Sequence, residues 1–313
     1  MLSRIADSMF WMNRYMERSE GMLRMLHTHY MLSLDKGPYG TNDWTPALQI
    51  FTDLPEQEIT AMAGNTSQVL QHLLLNTRNI NSLKVILGRA RENARGMQDH
   101  ITKEVWEQVN LMYHLINNPR TEKKITSDET LSAIDMLVQN CLLYTGVTDT
   151  TMPRGMSWSF MNLGKYIERC LLTIELTDKH YKAINYDLGQ NKDILYWRGL
   201  LFSLSGYELH LKNYRSTDYS YNVAHQLIFN LQFPHSIIYS LQRIKKYLDD
   251  AIKENNPSEK YNLLKQFGRL YSQVEFADFE WIKRSGLPAY LLDVRNELLQ
   301  FSRSLSQSFF SYS

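Results

Sequence analysis

The chain has 313 residues, 43% of them apolar, with 34 Lys or Arg against 33 Asp or Glu and a net charge of +1. That length holds one large domain or two ordinary ones, and the balanced charge argues against a dedicated nucleic-acid binder. Gly (14) and Pro (8) are scarce, about 7% together where about 12% is average, which excludes collagen-like and turn-rich β architectures and favours long helices. Cys141 and Cys170 are too few for a disulfide framework and lack zinc-type CxxC spacing. They fit a reducing compartment. Met1-Leu2-Ser3-Arg4-Ile5-Ala6-Asp7 carries charge at once and has no apolar signal core. The longest stretch without Lys, Arg, Asp or Glu, Tyr219 to Gln242, includes His225, Asn230, Pro234 and His235. It reads as a buried helix pair rather than a membrane span. The expectation is a cytoplasmic, all-α protein.

In chain order, a long helix is expected over Leu2–Leu32 with Ser3 as N-cap, because Ile5, Met9, Met12, Met16, Leu23 and Leu26 recur on one helix face. Asp35-Lys36-Gly37-Pro38 and Thr41-Asn42-Asp43 mark a loop. Thr45-Pro46 reads as cap and first residue of a short helix ending before Pro55. A helical block follows from Thr66 to Met97, broken near Asn76-Thr77, with Ile80, Leu83, Leu87 and Ala94 on one side and Gly96 closing it. Lys103–Ile116 is helical, and Asn117-Asn118-Pro119-Arg120 a polar loop. Thr126 with Glu129 has capping-box spacing ahead of a helix to Tyr144. Gly146 to Arg154 is hinge-like and forms the best internal boundary of a single 313-residue domain. Helices are then expected near Ser157–Ile184, Asp193–Lys212, Ser220–Asn230, Pro234–Glu254, Ser258–Tyr271 and Ala289–Phe309. Tyr (19) and Met (14) are plentiful, and at helical spacing they read as packing rather than a cofactor box.

One similarity is internal. Arg14-Tyr15-Met16-Glu17-Arg18 recurs as Lys165-Tyr166-Ile167-Glu168-Arg169, and Met9, Met12 and Leu23 align with Phe160, Leu163 and Ile174 at the same spacing. The pattern predicts an all-α, multi-helix bundle with two pseudo-repeated halves, each opening with a long Glu-Arg helix. At 100° per residue, Phe10, Trp11 and Met25 share the Arg14 side of the first helix with Asp7, Glu17, Arg18 and Gly21. A solvated face rarely carries such apolar residues, so the charges are expected to be enclosed, and enclosed charges need partners. Two readings stand. Glu17 with Arg169 and Glu168 with Arg18 are bridges locking the halves together, or Arg14, Arg18 and Arg169 form a site for a carboxylate or another anion.

Leu2-Ser3-Arg4-Ile5-Ala6-Asp7-Ser8-Met9-Phe10-Trp11-Met12-Asn13-Arg14-Tyr15-Met16-Glu17-Arg18 resembles the opening of the bacterial alpha-E domain family, named for its helices and Glu-Arg motif. The resemblance covers essentially the full chain. Ala90-Arg91-Glu92-Asn93-Ala94-Arg95, Trp106 with Asn110, Tyr166-Ile167-Glu168-Arg169 and Tyr196-Trp197 carry it further. Phe233-Pro234-His235-Ser236 is similar to the family's Pro-Arg-Ser segment, with His235 in place of Arg, and Lys165 stands where Arg is common. The family has no settled activity. Its members accompany, or are fused to, an ATP-grasp-type ligase and a transglutaminase-like protein. The resemblance therefore implies partnership with those two proteins in peptide synthesis or modification, with a peptide as ligand.

Arg89, Arg91, Glu92 and Arg95 are the densest basic cluster. They suit a phosphate or acidic peptide tail, or a solvated helix end complementing the dipole. The binding candidates are thus Arg14, Glu17, Arg18, Glu168, Arg169, Arg91, Glu92 and Arg95. No cofactor, metal, nucleic acid or membrane is expected: HExxH, Cys/His clusters and Gly-rich phosphate loops are absent, and His27 and His29 lie on different faces. Any ATP chemistry then resides in a partner. Ser203-Leu204-Ser205-Gly206 reads as helix-embedded rather than a nucleophile elbow, and Cys170 as a buried thiol despite Arg169 beside it. Trp11, Trp106 and Trp197 offer flat apolar surface or core packing. The leading expectation is a helical accessory module, non-catalytic by itself. The alternative is an enzyme with Glu17 or Glu168 as general acid or base.

Overall fold

A computed structural model describes residues 3–34, 43–190, 192–253 and 260–310. Among them there is no β-strand, and no helix is long and apolar enough to cross a membrane. Two compact units emerge, Trp11–Pro153 and, separately, Met1–Phe10 with Arg154–Ser313. The first helix, α1 (Ser3–Leu34), contributes residues to both. It already includes Ser3, which is therefore a helical residue and not the expected cap, while Asp35–Pro38, Thr41, Asn42 and Ser258 of the expected loop and helix start fall outside the described residues.

The Trp11–Pro153 unit continues with α2 (Thr45–Phe51), α3 (Glu56–Met62), α4 (Thr66–Leu70), α5 (Leu83–Arg95), α6 (Lys103–Ile116), α7 (Pro119–Ile125) and α8 (Thr130–Thr151). Helix α6 packs on both α5 and α8, burying Leu83, Ile86, Leu87, Val105, Val109, Met112, Ile134 and Leu137. The starts are chemically marked. Asn65, Ser82, Thr102 and Asn118 each accept a backbone N–H of the first turn of α4, α5, α6 and α7.

Several expectations shift here. Thr45 is already helical and Trp44 is the N-cap residue, with Asp43 Oδ1 accepting the Thr45 N–H at 3.0 Å. Ile80 is 51% exposed in the turn before α5, not part of its buried face. The expected loop at Pro119 begins α7, where Pro suits the first turn because its missing N–H has no helical partner. Thr126 makes no capping box: its hydroxyl donates back to the Glu122 and Lys123 carbonyls and ends α7. Gly146 to Thr151 form the last turns of α8, so the extended backbone starts only at Met152.

The other unit holds α9 (Met156–Lys182), α10 (Ile194–Ser203), α11 (Tyr207–Asn213), α12 (Tyr219–Phe229), α13 (Ile237–Lys253), α14 (Tyr261–Glu275), α15 (Phe279–Ser285) and α16 (Leu287–Phe309). Helix α9 is its axis, packed along α13 and α16, with Phe160, Leu163, Ile167, Leu171 and Ile174 buried. Phe10 joins Phe160 in a ring cluster around Phe310. Pro234 does not start α13: Ser236 caps it, its hydroxyl accepting the Tyr239 N–H at 3.1 Å and donating to the Asn230 carbonyl at 2.7 Å.

The helix expected over Asp193–Lys212 is broken. Ser205 has φ 56, the left-handed conformation that stops α10, and Gly206 N–H returns to the Leu201 carbonyl at 2.7 Å. Gly206 also lets the chain pass close to its neighbours. A Cβ there would lie 2.8 Å from both Gln226 Nε2 and Phe233 Cζ, while the Gly206 carbonyl accepts Gln226 Nε2 at 2.9 Å. Gly206→Ala is expected to cost about 1–3 kcal/mol by overpacking, read as a lower urea midpoint. An unchanged midpoint would show that the neighbours yield freely.

Candidate functional site

The first Glu-Arg motif lies where α1 is covered on nearly every side. Met9, Met12, Met16 and Leu23 are buried on the expected stripe, and Phe10, Met25 and Glu17 are buried as well. Arg14 lies 4.8 Å from the Trp11 ring centroid, and Trp11 packs on Tyr15. Arg18 reaches out of its helix. Its Nη2 donates to the Ile50 carbonyl at 3.2 Å, and its guanidinium sits 5.3 Å from the Phe51 ring centroid. The reason is local: the last carbonyls of a helix have no helical donor. In α2, Thr52 serves the Leu48 carbonyl through both N–H and hydroxyl, and Asn79 Nδ2 serves the Phe51 carbonyl at 3.3 Å. Arg18 supplies the Ile50 carbonyl with a cation at the negative end of the helix.

Beside it runs a polar seam that the apolar pattern concealed. Asn13, Glu17, Glu20, Arg24 and His27 recur every three or four residues on α1. Tyr144 of α8 donates to Asn13 Oδ1, His27 Nε2 meets Asp135 Oδ1 at 2.8 Å, and Arg24 pairs with Glu20 at 2.5 Å. Cys141 sits among Glu20, Arg24 and Glu17, and burial first, then Glu20, pushes its thiol well up. It is therefore an inert packing residue.

The second motif is embedded in α9, where Glu168 is 3% and Arg169 8% exposed. Arg169 Nη1 donates to the Pro234 carbonyl at 3.5 Å and lies 5.3 Å from the Tyr166 ring centroid. One turn on, Thr173 donates to the His235 carbonyl at 2.7 Å. The His235 ring lies 6.0 Å from that of Phe233. Burial likewise raises the Cys170 thiol despite the adjacent arginine.

Sequence reasoning missed the residues that α13 brings to α9. Tyr239, Arg243 and Tyr247 stand at i, i+4 and i+8, a spacing that marks one helix face. Arg243 Nη2 donates to Tyr239 Oη at 2.8 Å. Tyr166 stacks on Tyr247 at 6.0 Å, Trp158 meets Tyr247 at 6.5 Å, and Arg154 lies 3.8 Å from the Trp158 ring centroid. Burial pushes the Tyr166 phenol up to about 12.

Arg91, Glu92 and Arg95 are brought together on α5. Arg91 Nε donates to Asn110 Oδ1 at 2.7 Å, and its guanidinium is 4.7 Å and 5.9 Å from the Tyr113 and Trp106 ring centroids. Glu92 pairs with Arg91 at 3.3 Å and with Arg95 at 2.7 Å. The side chains of Arg95 and Glu92 are 61% and 54% exposed, so this pair adds little stability. Arg89 is exposed too. Trp197 is fully buried and is a core residue. Among the described residues, no group of three or more His, Cys, Asp or Glu side chains is placed to hold a metal ion.

A family model for a predicted alpha-helical domain with a conserved ER motif, Alpha-E, matches residues 1–310. Curated relatives include uncharacterized proteins of Mycobacterium bovis and of two Mycobacterium tuberculosis strains. Each is 21% identical over 317 residues, covering 93% of this chain and 34% of its own length. The chain thus spans about a third of the length of these relatives. No solved structure matches it.

Two measurements check this geometry. Arg18→Met is expected to cost about 1.5–3 kcal/mol, the value of a charge-assisted bond to a buried carbonyl, read by chemical denaturation; a loss below a few tenths would show that water replaces it. His29, against Trp44 at 4.2 Å, and His180, against Tyr196 and Trp197, have their pKa lowered to about 4 by burial. Their Nε2 atoms have no hydrogen-bond partner among the described residues. The unfolded chain then binds more protons than the folded one between pH 6.5 and 4, so stability falls as pH drops through that window. His180→Phe should shrink the difference in unfolding free energy between pH 7 and 4.5 by on the order of 2 kcal/mol. An undiminished difference would refute the assignment.

Proposed function

The chain belongs to the Alpha-E family, and on that premise we propose that it is a helical accessory module. In this reading it binds an anionic peptide or partner surface, while an ATP-grasp-type ligase and a transglutaminase-like protein carry the chemistry. The observation that carries the reading is the commitment of the motif arginines to the scaffold: Arg18 holds the Ile50 carbonyl and Arg169 the Pro234 carbonyl. A guanidinium spent on a backbone carbonyl positions helices. The arginines that face outward are elsewhere, on α5. There Asn110, Tyr113 and Trp106 hold Arg91 in one orientation beside exposed Arg95, and a held fork loses less entropy on meeting a carboxylate or phosphate. The mycobacterial relatives carry the matching region inside chains about three times as long, which supports a module working beside other domains.

Burial of Glu17 and Glu168 next to arginines favours one second reading, an enzyme of the same pathway acting on a carboxylate or phosphate substrate. The two readings separate cleanly. In co-purification with the ATP-grasp-type ligase of the same organism, Arg91→Ala/Arg95→Ala should fold normally and weaken capture about tenfold or more, whereas Arg18→Ala should mainly lower Tm. Undiminished capture by the double variant would count against the α5 surface. Turnover of candidate peptides by the purified chain alone, abolished by Glu17→Gln in a folded protein, would overturn the module reading.

A further inference from the structure

The groove between α14 and α16 has a cavity of about 380 Å3 lined by Asn262, Lys265, Gln266, Arg269, Glu297 and Gln300. On α14 these residues stand at i, i+3, i+4 and i+7, one stripe, while Leu263, Phe267, Leu270 and Val274 are buried on the other side. Glu297 and Gln300 form the facing row of α16, with Val294, Leu298, Phe301 and Leu305 buried. Phe267 packs on Phe301 at 4.9 Å and fixes the spacing of the two helices. All six lining residues belong to one unit.

From this groove we infer a binding site for the carboxylate end of a short peptide. None of the six side chains makes a hydrogen bond or ion pair to another described residue. Lys265 and Arg269 are like charges at i, i+4, which repel on a bare helix, and an anion between them turns that repulsion into attraction. Arg269 offers a two-pronged donor to a carboxylate. Asn262, Gln266 and Gln300 each present an amide donor and an acceptor, the complement of a peptide backbone. Glu297 adds an acceptor for a peptide N–H or ammonium. Its carboxyl is shifted up by burial and by Asp293, against the pull of Arg269. The same carboxylate disfavours a phosphate dianion, so the chemistry selects a singly charged ligand that carries N–H groups. The volume lies at the small end of ligand sites, which suits a chain end rather than a folded partner.

Isothermal titration of the full chain tests this with tri-alanine, its C-terminal amide and inorganic phosphate. Tri-alanine is expected to bind, and amidation of its carboxylate or Arg269→Gln to weaken it about tenfold, the loss of one charge-assisted contact. Lys103→Ala, an exposed lysine of the other unit, should leave this affinity unchanged, and the α5 reading is tested by capture of the ligase, so failure here is distinguishable from failure there. Circular dichroism of each variant confirms folding. Equal binding of the amide, tighter binding of phosphate than of tri-alanine, indifference to Arg269→Gln, or no binding of tri-alanine at millimolar concentration would each overturn the inference.

Discussion

A helix end leaves carbonyls without donors, and a guanidinium on a neighbouring helix is one of the few groups that can reach and satisfy them from a distance. That constraint sets the reach of Arg18, and a turn carbonyl makes the same demand of Arg169. Arg18 serves the end of α2, and Arg169 serves the turn that precedes α13. In each case the planar cation also lies against an aromatic ring, Phe51 or Tyr166. Loss of Arg18 is costly, because Ile50, whose carbonyl is left behind, is buried.

The buried polar groups of α1 follow from that enclosure. Asn13, Glu17 and Glu20 are buried and Arg24 and His27 half-buried, and a buried polar group must meet its complement on packed structure. Tyr144, Asp135 and the Glu20–Arg24 pair supply part of it. In the other unit the solution is aromatic: Tyr166, Tyr239, Tyr247 and Trp158 surround the arginines between α9 and α13.

The arginines divide by depth. Inner arginines act on the backbone and hold helices at fixed spacing. Outer ones, Arg91 on its Asn110 and aromatic platform and Arg95 beyond it, are the groups available to a partner in the proposed module. The groove on α14 and α16 is a second polar feature, chemically unlike the first because three amides stand among its three charged side chains.

The apolar period and the scarcity of Gly and Pro were enough to read an all-α chain, most of its helices and the enclosure of α1, whereas the caps expected at Ser3, Thr45 and Thr126 are not the ones the structure uses. The apolar period is local, set by side-chain spacing along one helix. The Glu-Arg motif also identified the family. Other outcomes depended on what lies across space. Thr126 closes α7 instead of opening α8 because its hydroxyl finds nearer carbonyls behind it. Ser205 breaks a helix whose period continues, since the chain there must pass Gln226 and Phe233. The partner of Arg18, a backbone carbonyl, leaves no trace in the residue type at position 50. Side-chain periodicity records which face is buried, and only the tertiary structure decides which backbone groups that face must satisfy.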